Sequence, residues 1–73
     1  MQAAEQVQSV LEELDDEKRA VFILAELEQL PAAEMAQALG LPINTVYSRL
    51  RLARAAFEAG LRRLKAKDEW RYR

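Results

Sequence analysis

Polar side chains that can hydrogen-bond a nucleobase recur along one side of the segment between residues 43 and 57. Asn44, Ser48 and Arg51 follow one another at steps of four and three residues, the spacing of one face of an α-helix. Amide, hydroxyl and guanidinium groups are the side chains that read base edges in the major groove of DNA. The spacing therefore predicts a helix whose polar face contacts DNA.

The other side of this helix is apolar. Val46, Leu50, Ala53 and Phe57 follow at steps of four, three and four residues, which predicts one stripe that packs on a core. A helix packed on one side and polar on the other can lie in a major groove. We expect eight residues of this helix to bind DNA: Asn44, Thr45, Tyr47, Ser48, Arg49, Arg51, Leu52 and Arg54.

Four of these candidates lie at the centre or the start of the polar face. Arg51 is central, and arginine is the commonest reader of guanine through O6 and N7. Ser48 is small enough to hydrogen-bond either a base or a phosphate. Asn44 and Thr45 lie at the helix start, where free backbone N–H groups bind phosphate, and capping of the helix is an equal alternative for both.

The other four candidates lie at the borders and flanks of the same face. Tyr47 can stack, bond a phosphate or cover the neighbouring helix, and Leu52 can touch a thymine methyl group or simply be exposed. Arg49 and Arg54 suit the two phosphate backbones, with salt bridges to acidic helices as the alternative for each.

The residues before this helix predict how it is held. A short helix is expected at about 32–39, with Met35, Ala36 and Leu39 on its inner face. Gly40 suits the left-handed position after a helix, and Pro42 suits the first turn of the next one. The two helices together predict a helix-turn-helix with a tight turn.

Two more helices are predicted upstream, which makes the fold class all-α. We expect four helices at about 3–14, 16–29, 32–39 and 43–66 in a single domain over residues 1–73. The run AVFILA at 20–25 is apolar on every side and predicts a buried helix, with a stripe of Ala20, Leu24 and Leu27; a buried strand is the alternative. Gly60 is expected to loosen the last helix, because glycine is a poor helix former.

Charge is distributed unevenly along the chain. Residues 1–40 hold nine acidic and two basic residues, a net charge of −7, whereas residues 41–73 hold nine basic and three acidic residues, a net charge of +6. Such a split favours a basic face for a polyanion and an acidic face for another partner. Mutual neutralisation of the two halves across the fold is the alternative.

Composition argues against catalysis, cofactors and membrane insertion. The chain contains no cysteine and no histidine. Metal and catalytic sites commonly use the thiolate of cysteine and the imidazole of histidine. The acidic run at residues 15–17 is typical of a helix start, so we expect Asp15 or Asp16 to be a cap and no metal site there. No apolar run approaches the length that spans a bilayer. We therefore expect a cytoplasmic protein that is not an enzyme and needs no cofactor.

The pattern of ELEQL (Glu26 to Leu30), AEMAQALGLP (Ala33 to Pro42) and TVYSRLRLARAAF (Thr45 to Phe57) resembles region 4 of bacterial extracytoplasmic-function sigma factors. The resemblance implies a region that reads the −35 promoter element through its last helix and docks on the β-flap of RNA polymerase. It implies that Thr45, Ser48 and Arg51 face DNA. An anti-sigma factor is a further partner that the resemblance implies.

The chain departs from the family pattern at three positions that are often basic, which hold Ala25, Tyr47 and Leu52 here. Loss of positive charge lowers affinity for phosphate, so a region-4-like protein-interaction module bound by an anti-sigma factor or another regulator is an alternative function. The DNA-binding domain of a response regulator, which shares the four-helix plan, is another alternative. Trp70 and Tyr72 near the end of the chain are expected to pack on the bundle or to meet a partner.

Overall fold

A computed structural model describes the backbone of residues 3–71 and the side chains of residues 3–67, so Tyr72 and the side chain of Trp70 lie outside the described part. The helices are α1 (Ala3–Glu13), α2 (Asp16–Phe22), α3 (Ala32–Leu39) and α4 (Ile43–Arg71), and a π-helical turn (Ile23–Leu27) continues α2. Residues 3–71 contain no strand. The prediction of an all-α helix-turn-helix fold is confirmed, and the alternative of a strand at 20–25 is wrong.

Asp15 starts α2. Its backbone is extended, and its carboxylate accepts a 2.8 Å hydrogen bond from the backbone N–H of Lys18. This bond satisfies one of the donors that a helix start leaves without a partner. Asp16 and Glu17 follow in the first turn, where negative charge is favoured by the helix dipole. Of the two expected caps, the structure therefore selects Asp15.

The end of the second helix differs from the prediction of one regular helix over 16–29. After Phe22 the backbone widens, so that the N–H of Glu28 donates to the carbonyl of Ile23 over 3.0 Å, a π-helical bond. Gln29 then adopts a left-handed backbone, with φ of 58°. The wider turn shifts the rotational phase of every residue after it.

This phase shift explains an error in the predicted core. The expected stripe of Ala20, Leu24 and Leu27 is wrong at its last member, because Leu27 is 56% exposed. The buried residues of this element are Val21 and Phe22 instead, and Leu24 is only partly buried. A stripe computed at 3.6 residues per turn cannot follow a π-helical turn.

The core is formed by one cluster of apolar side chains from all four α-helices. Met35 of α3 is 1% exposed, and Val46 and Ala53 of α4 are fully buried. Phe57 is partly buried, and its ring stacks on Phe22 with centroids 4.4 Å apart. The predicted stripe of α4 is thus confirmed as the packed side. The buried members of the cluster are Leu11, Leu14, Val21, Phe22, Met35, Val46, Leu50 and Ala53. Val10 is also buried, beside Gly60 of α4.

Gly60 has a packing role that its place in the sequence does not indicate. The prediction that α4 loosens there is wrong, since the helix continues through Gly60 to Arg71. Gly60 is buried against α1, and a Cβ atom at this position would lie 2.8 Å from Cγ1 of Val10. The missing side chain therefore lets α1 approach α4 closely.

Candidate nucleic-acid interface

The turn between α3 and α4 sets the direction of the polar helix. Gly40 closes α3 in the left-handed conformation, with φ of 67°, and its N–H donates to the carbonyl of Ala36. The N–H of Leu41 donates to the same carbonyl over 3.0 Å. The carbonyl of Pro42 then accepts from Val46 and begins α4. Glycine is suited to this position because a Cβ atom disfavours positive φ.

The packing of α4 decides which of its faces is accessible. Val46, Leu50 and Ala53 hold the helix on the core, with exposures of 0%, 7% and 0%. Asn44, Ser48 and Arg51 are exposed on the opposite side. The structure thus brings together the polar face predicted from spacing, on a helix whose other side is anchored.

The border residues of this face are exposed apolar side chains. Tyr47 is 56% exposed and Leu52 is 54% exposed, on opposite edges of the polar face. Ile43, one turn before Tyr47, is also 41% exposed. Thr45 is half-buried. Exposed side chains of this size offer contact area to a base, a sugar or a partner protein.

A shallow open groove runs between the start of α2 and one edge of α4. Thr45, Ser48, Arg49 and Leu52 line it from α4, and Asp15, Glu17 and Lys18 line it from α2. The groove brings a hydroxyl-bearing edge of the polar helix next to charged residues that lie about thirty positions earlier in the chain. The spacing of residues along the sequence does not place Lys18 or Glu17 near this face, because only the crossing of α2 over α4 brings them there.

Two of the candidate arginines are held by acids of the N-terminal half. Arg49 forms an ion pair with Glu17 at 3.6 Å, and Nε of Arg54 donates to Oε1 of Glu26 over 2.5 Å. The alternative of salt bridges for Arg49 and Arg54 is therefore what the structure shows. A phosphate can reach either guanidinium only by sharing it with, or displacing, a carboxylate.

Arg51 differs from these two arginines. It is exposed, and no carboxylate within the described part of the chain pairs with it. Neutralisation between the two halves of the chain is thus selective: it covers Arg49, Arg54 and also Arg63, which pairs with Glu13 at 3.1 Å, but it leaves the centre of the polar face positively charged.

The acidic start of α2 has an electrostatic consequence of its own. Lys18 donates two hydrogen bonds to the Asp15 carboxylate, from its ammonium group over 2.7 Å and from its backbone N–H over 2.8 Å. These bonds stabilise the charged form and lower the pKa of Asp15 below its usual value, the bond from the ammonium group contributing most. The Asp15 carboxylate therefore stays ionised, and continues to cap α2, to a lower pH than an aspartate without these bonds.

Comparison with known families identifies the fold. The family model described as sigma-70, region 4 matches residues 4–57, which is 54 of the 73 residues. The chain belongs to the sigma-70 region 4 family. Neither a curated protein nor a solved structure gives a significant match.

Family membership makes the chain a DNA-binding module of sigma-factor type. Its helix-turn-helix consists of α3, the turn at Gly40, and α4. The matched span begins in α1 and ends at Phe57, so it includes the polar face but stops within α4. Region 4 is a regulatory module for transcription initiation and interacts with DNA and RNA polymerase. Within the described residues, no helix has the length and apolar composition needed to cross a bilayer.

Proposed function

We propose that the chain recognises a −35 promoter element through the exposed face of α4, while docked on the β-flap of RNA polymerase in the cytoplasm. The observation that carries this proposal is the state of Arg51, which is exposed, has no carboxylate partner among the residues that the structure describes, and lies on a helix anchored by Val46, Leu50 and Ala53. Family membership supplies the class of target.

The proposal assigns distinct parts to the candidate residues. Arg51 reads a base, and guanine offers the acceptor pair that a guanidinium fits best. Ser48 and Asn44 lie one and two turns before it and contact the neighbouring bases or phosphates. Thr45 lines the groove between α2 and α4 and contacts the DNA phosphate backbone. Tyr47, on the other edge of the polar face, also contacts the DNA phosphate backbone.

The flanking arginines contribute less to DNA binding than Arg51 does. Arg49 and Arg54 contact phosphates while still neighbouring Glu17 and Glu26, so each adds less positive potential than an unpaired arginine. Leu52 touches a thymine methyl group or a sugar. DNA binding by this domain therefore depends on Arg51 more strongly than the number of basic residues in the domain suggests.

The test compares base reading with phosphate binding. Duplexes that bind the 73-residue chain are first selected from a random pool in the presence of core polymerase, which raises the effective concentration of the domain at DNA. Arg51→Ala should then lose about 1–3 kcal/mol of discrimination at one base pair. Arg54→Ala should weaken selected and scrambled duplexes alike. Unchanged sequence preference in Arg51→Ala would refute the assignment.

A second candidate function is a protein-interaction module bound by an anti-sigma factor. The exposed apolar side chains of Tyr47, Leu52 and Ile43 favour it, because they border the polar face on both edges. In this case Tyr47→Ser should reduce capture by the anti-sigma partner. The same variant should leave the sequence preference for DNA unchanged, which separates the two candidates.

A further inference from the structure

The second half of α4 extends beyond the part of the chain that the family accounts for. The match ends at Phe57, yet α4 continues to Arg71. The described part of this extension carries exposed cations at Arg62, Lys65 and Lys67. None of these three forms an ion pair with any residue whose side chain the structure describes, which distinguishes them from most basic residues of the bundle.

The helical period places part of the extension on the same side of α4 as the polar face. Arg62 lies eleven residues after Arg51, and eleven residues make about three full turns at 3.6 residues per turn. The two arginines therefore point in nearly the same direction, about 16 Å apart along the helix. Lys65 lies one turn beyond Arg62, at the edge of the same face.

The opposite side of the extension is already occupied. Gly60 packs on Val10 of α1, and Arg63 pairs with Glu13 at the end of α1 over 3.1 Å. The packing of α1 thus fixes the rotation of the extension, and it leaves Arg62 directed away from the bundle.

We propose that Arg62 and Lys65 bind the phosphate backbone of the promoter duplex, beside the DNA major groove that Arg51 enters. The inference rests on the proposed function and extends it to a second contact outside the matched region. The major groove is about 12 Å wide, so a residue about 16 Å from Arg51 lies past the groove edge, where the phosphate backbone runs. Arg62 has no ion-pair partner among the described side chains, so it can engage a phosphate without first losing a carboxylate, unlike Arg49 or Arg54.

Glu58 provides a contact of opposite sign on the same surface. It is exposed one turn before Arg62 and on the same face, between Arg51 and Arg62. A duplex lying along this face brings phosphate near the Glu58 carboxylate, which opposes binding. Removal of the charge at Glu58 should therefore strengthen DNA binding, whereas removal of the charge at Arg62 should weaken it.

The test uses fluorescence anisotropy with the 73-residue chain and a selected duplex, at salt concentrations from about 50 to 200 mM. Arg62→Ala should flatten the slope of log K against log salt by about 0.9, the value for one phosphate contact. It should lower affinity roughly fivefold to tenfold at 0.1 M salt. Glu58→Gln should raise affinity. Arg63→Ala is the matched control, because the same residue type one position later points to α1.

Three results would overturn the inference. Arg62→Ala could leave both the slope and the affinity unchanged, which would leave a partner other than DNA as the ligand of this face. Arg62→Ala and Arg63→Ala could weaken binding equally, which would indicate only the net charge of the helix. Glu58→Gln could weaken binding, which would place this face away from phosphate. Circular dichroism melts of each variant establish that the bundle is intact.

The outcome is separable from failure of the proposed function. If Arg51→Ala loses base discrimination but Arg62→Ala has no effect, the promoter assignment stands and the second contact is wrong. If the parent chain selects no duplex even with core polymerase present, the promoter assignment itself is wrong.

Discussion

Substitution of Gly60 by alanine sets helix propensity against packing. Alanine favours the helical backbone over glycine by about 1 kcal/mol, so the sequence alone predicts that Gly60→Ala stabilises α4. The structure predicts the reverse. The new Cβ atom would lie 2.8 Å from Cγ1 of Val10 and 3.1 Å from Oε2 of Glu13. The first of these distances is shorter than carbon atoms tolerate.

The neighbours determine how large the cost is. Val10 is 1% exposed, and valine in a helix has one strongly preferred rotamer, so its methyl group cannot turn away. Glu13 can move, but it would weaken its contact with Arg63. Overpacking of this kind costs about 1–3 kcal/mol. After the gain in propensity, we expect a net loss of about 1 kcal/mol in the free energy of unfolding.

Thermal and urea unfolding of Gly60→Ala, Val10→Ala and the double variant measure this conflict. Val10→Ala removes the methyl group that the new Cβ would meet, so Gly60→Ala should become neutral or stabilising in that background. The expected coupling between the two sites is at least about 1 kcal/mol. Ala55→Gly, at an exposed position of α4, measures the propensity difference without the contact. A higher melting temperature for Gly60→Ala in the parent chain would refute the packing argument.

Three further predictions follow from local features. Gln29→Gly should raise the free energy of unfolding by about 1 kcal/mol in urea melts, because Gln29 has a φ of 58° that glycine adopts without strain. Leu27→Gln should change stability by less than about 0.5 kcal/mol, since Leu27 is 56% exposed, whereas Leu50→Ala should cost about 2–5 kcal/mol because Leu50 is 7% exposed; equal losses would place Leu27 in the core. For Asp15, whose pKa is lowered by Lys18, the stability that its charge contributes should be present above the usual carboxyl pKa and should be lost as pH falls through the lowered one. Asp15→Asn keeps a capping oxygen but cannot titrate, so its melting temperature should depend less on pH in that acidic range; an unchanged pH profile would contradict the assignment.

The elements that spacing predicted well are those with regular geometry. The stripe of α4 repeats at steps of four and three residues, and nothing within that stretch alters the helical period, so its buried and exposed faces could be assigned before the structure. Gly40 and Pro42 mark the turn by backbone preference alone, which is local information. The polar face with Asn44, Ser48 and Arg51 follows directly from the same period.

Two features of the fold could not be predicted from the spacing of residues along a regular helix. Leu27 appeared to belong to the core because its spacing suited a regular helix, but the π-helical turn after Phe22 rotates it outward. Gly60 appeared to weaken α4, although its role is to admit Val10 of α1, which lies fifty positions earlier. Neither the widened turn nor the close approach has a signature in the local pattern.

The division of charge shows most clearly what each level of information decides. The sequence by itself determined that acidic residues gather in one half and basic residues in the other, since counting requires no coordinates. Only the tertiary structure decided which cations are neutralised: Arg49 and Arg54 lie beside Glu17 and Glu26, while Arg51 and Arg62 face outward without a carboxylate partner in the described part of the chain. The physical reason is that an ion pair requires two side chains within a few ångströms, and for residues about thirty positions apart that distance is set by how the helices cross.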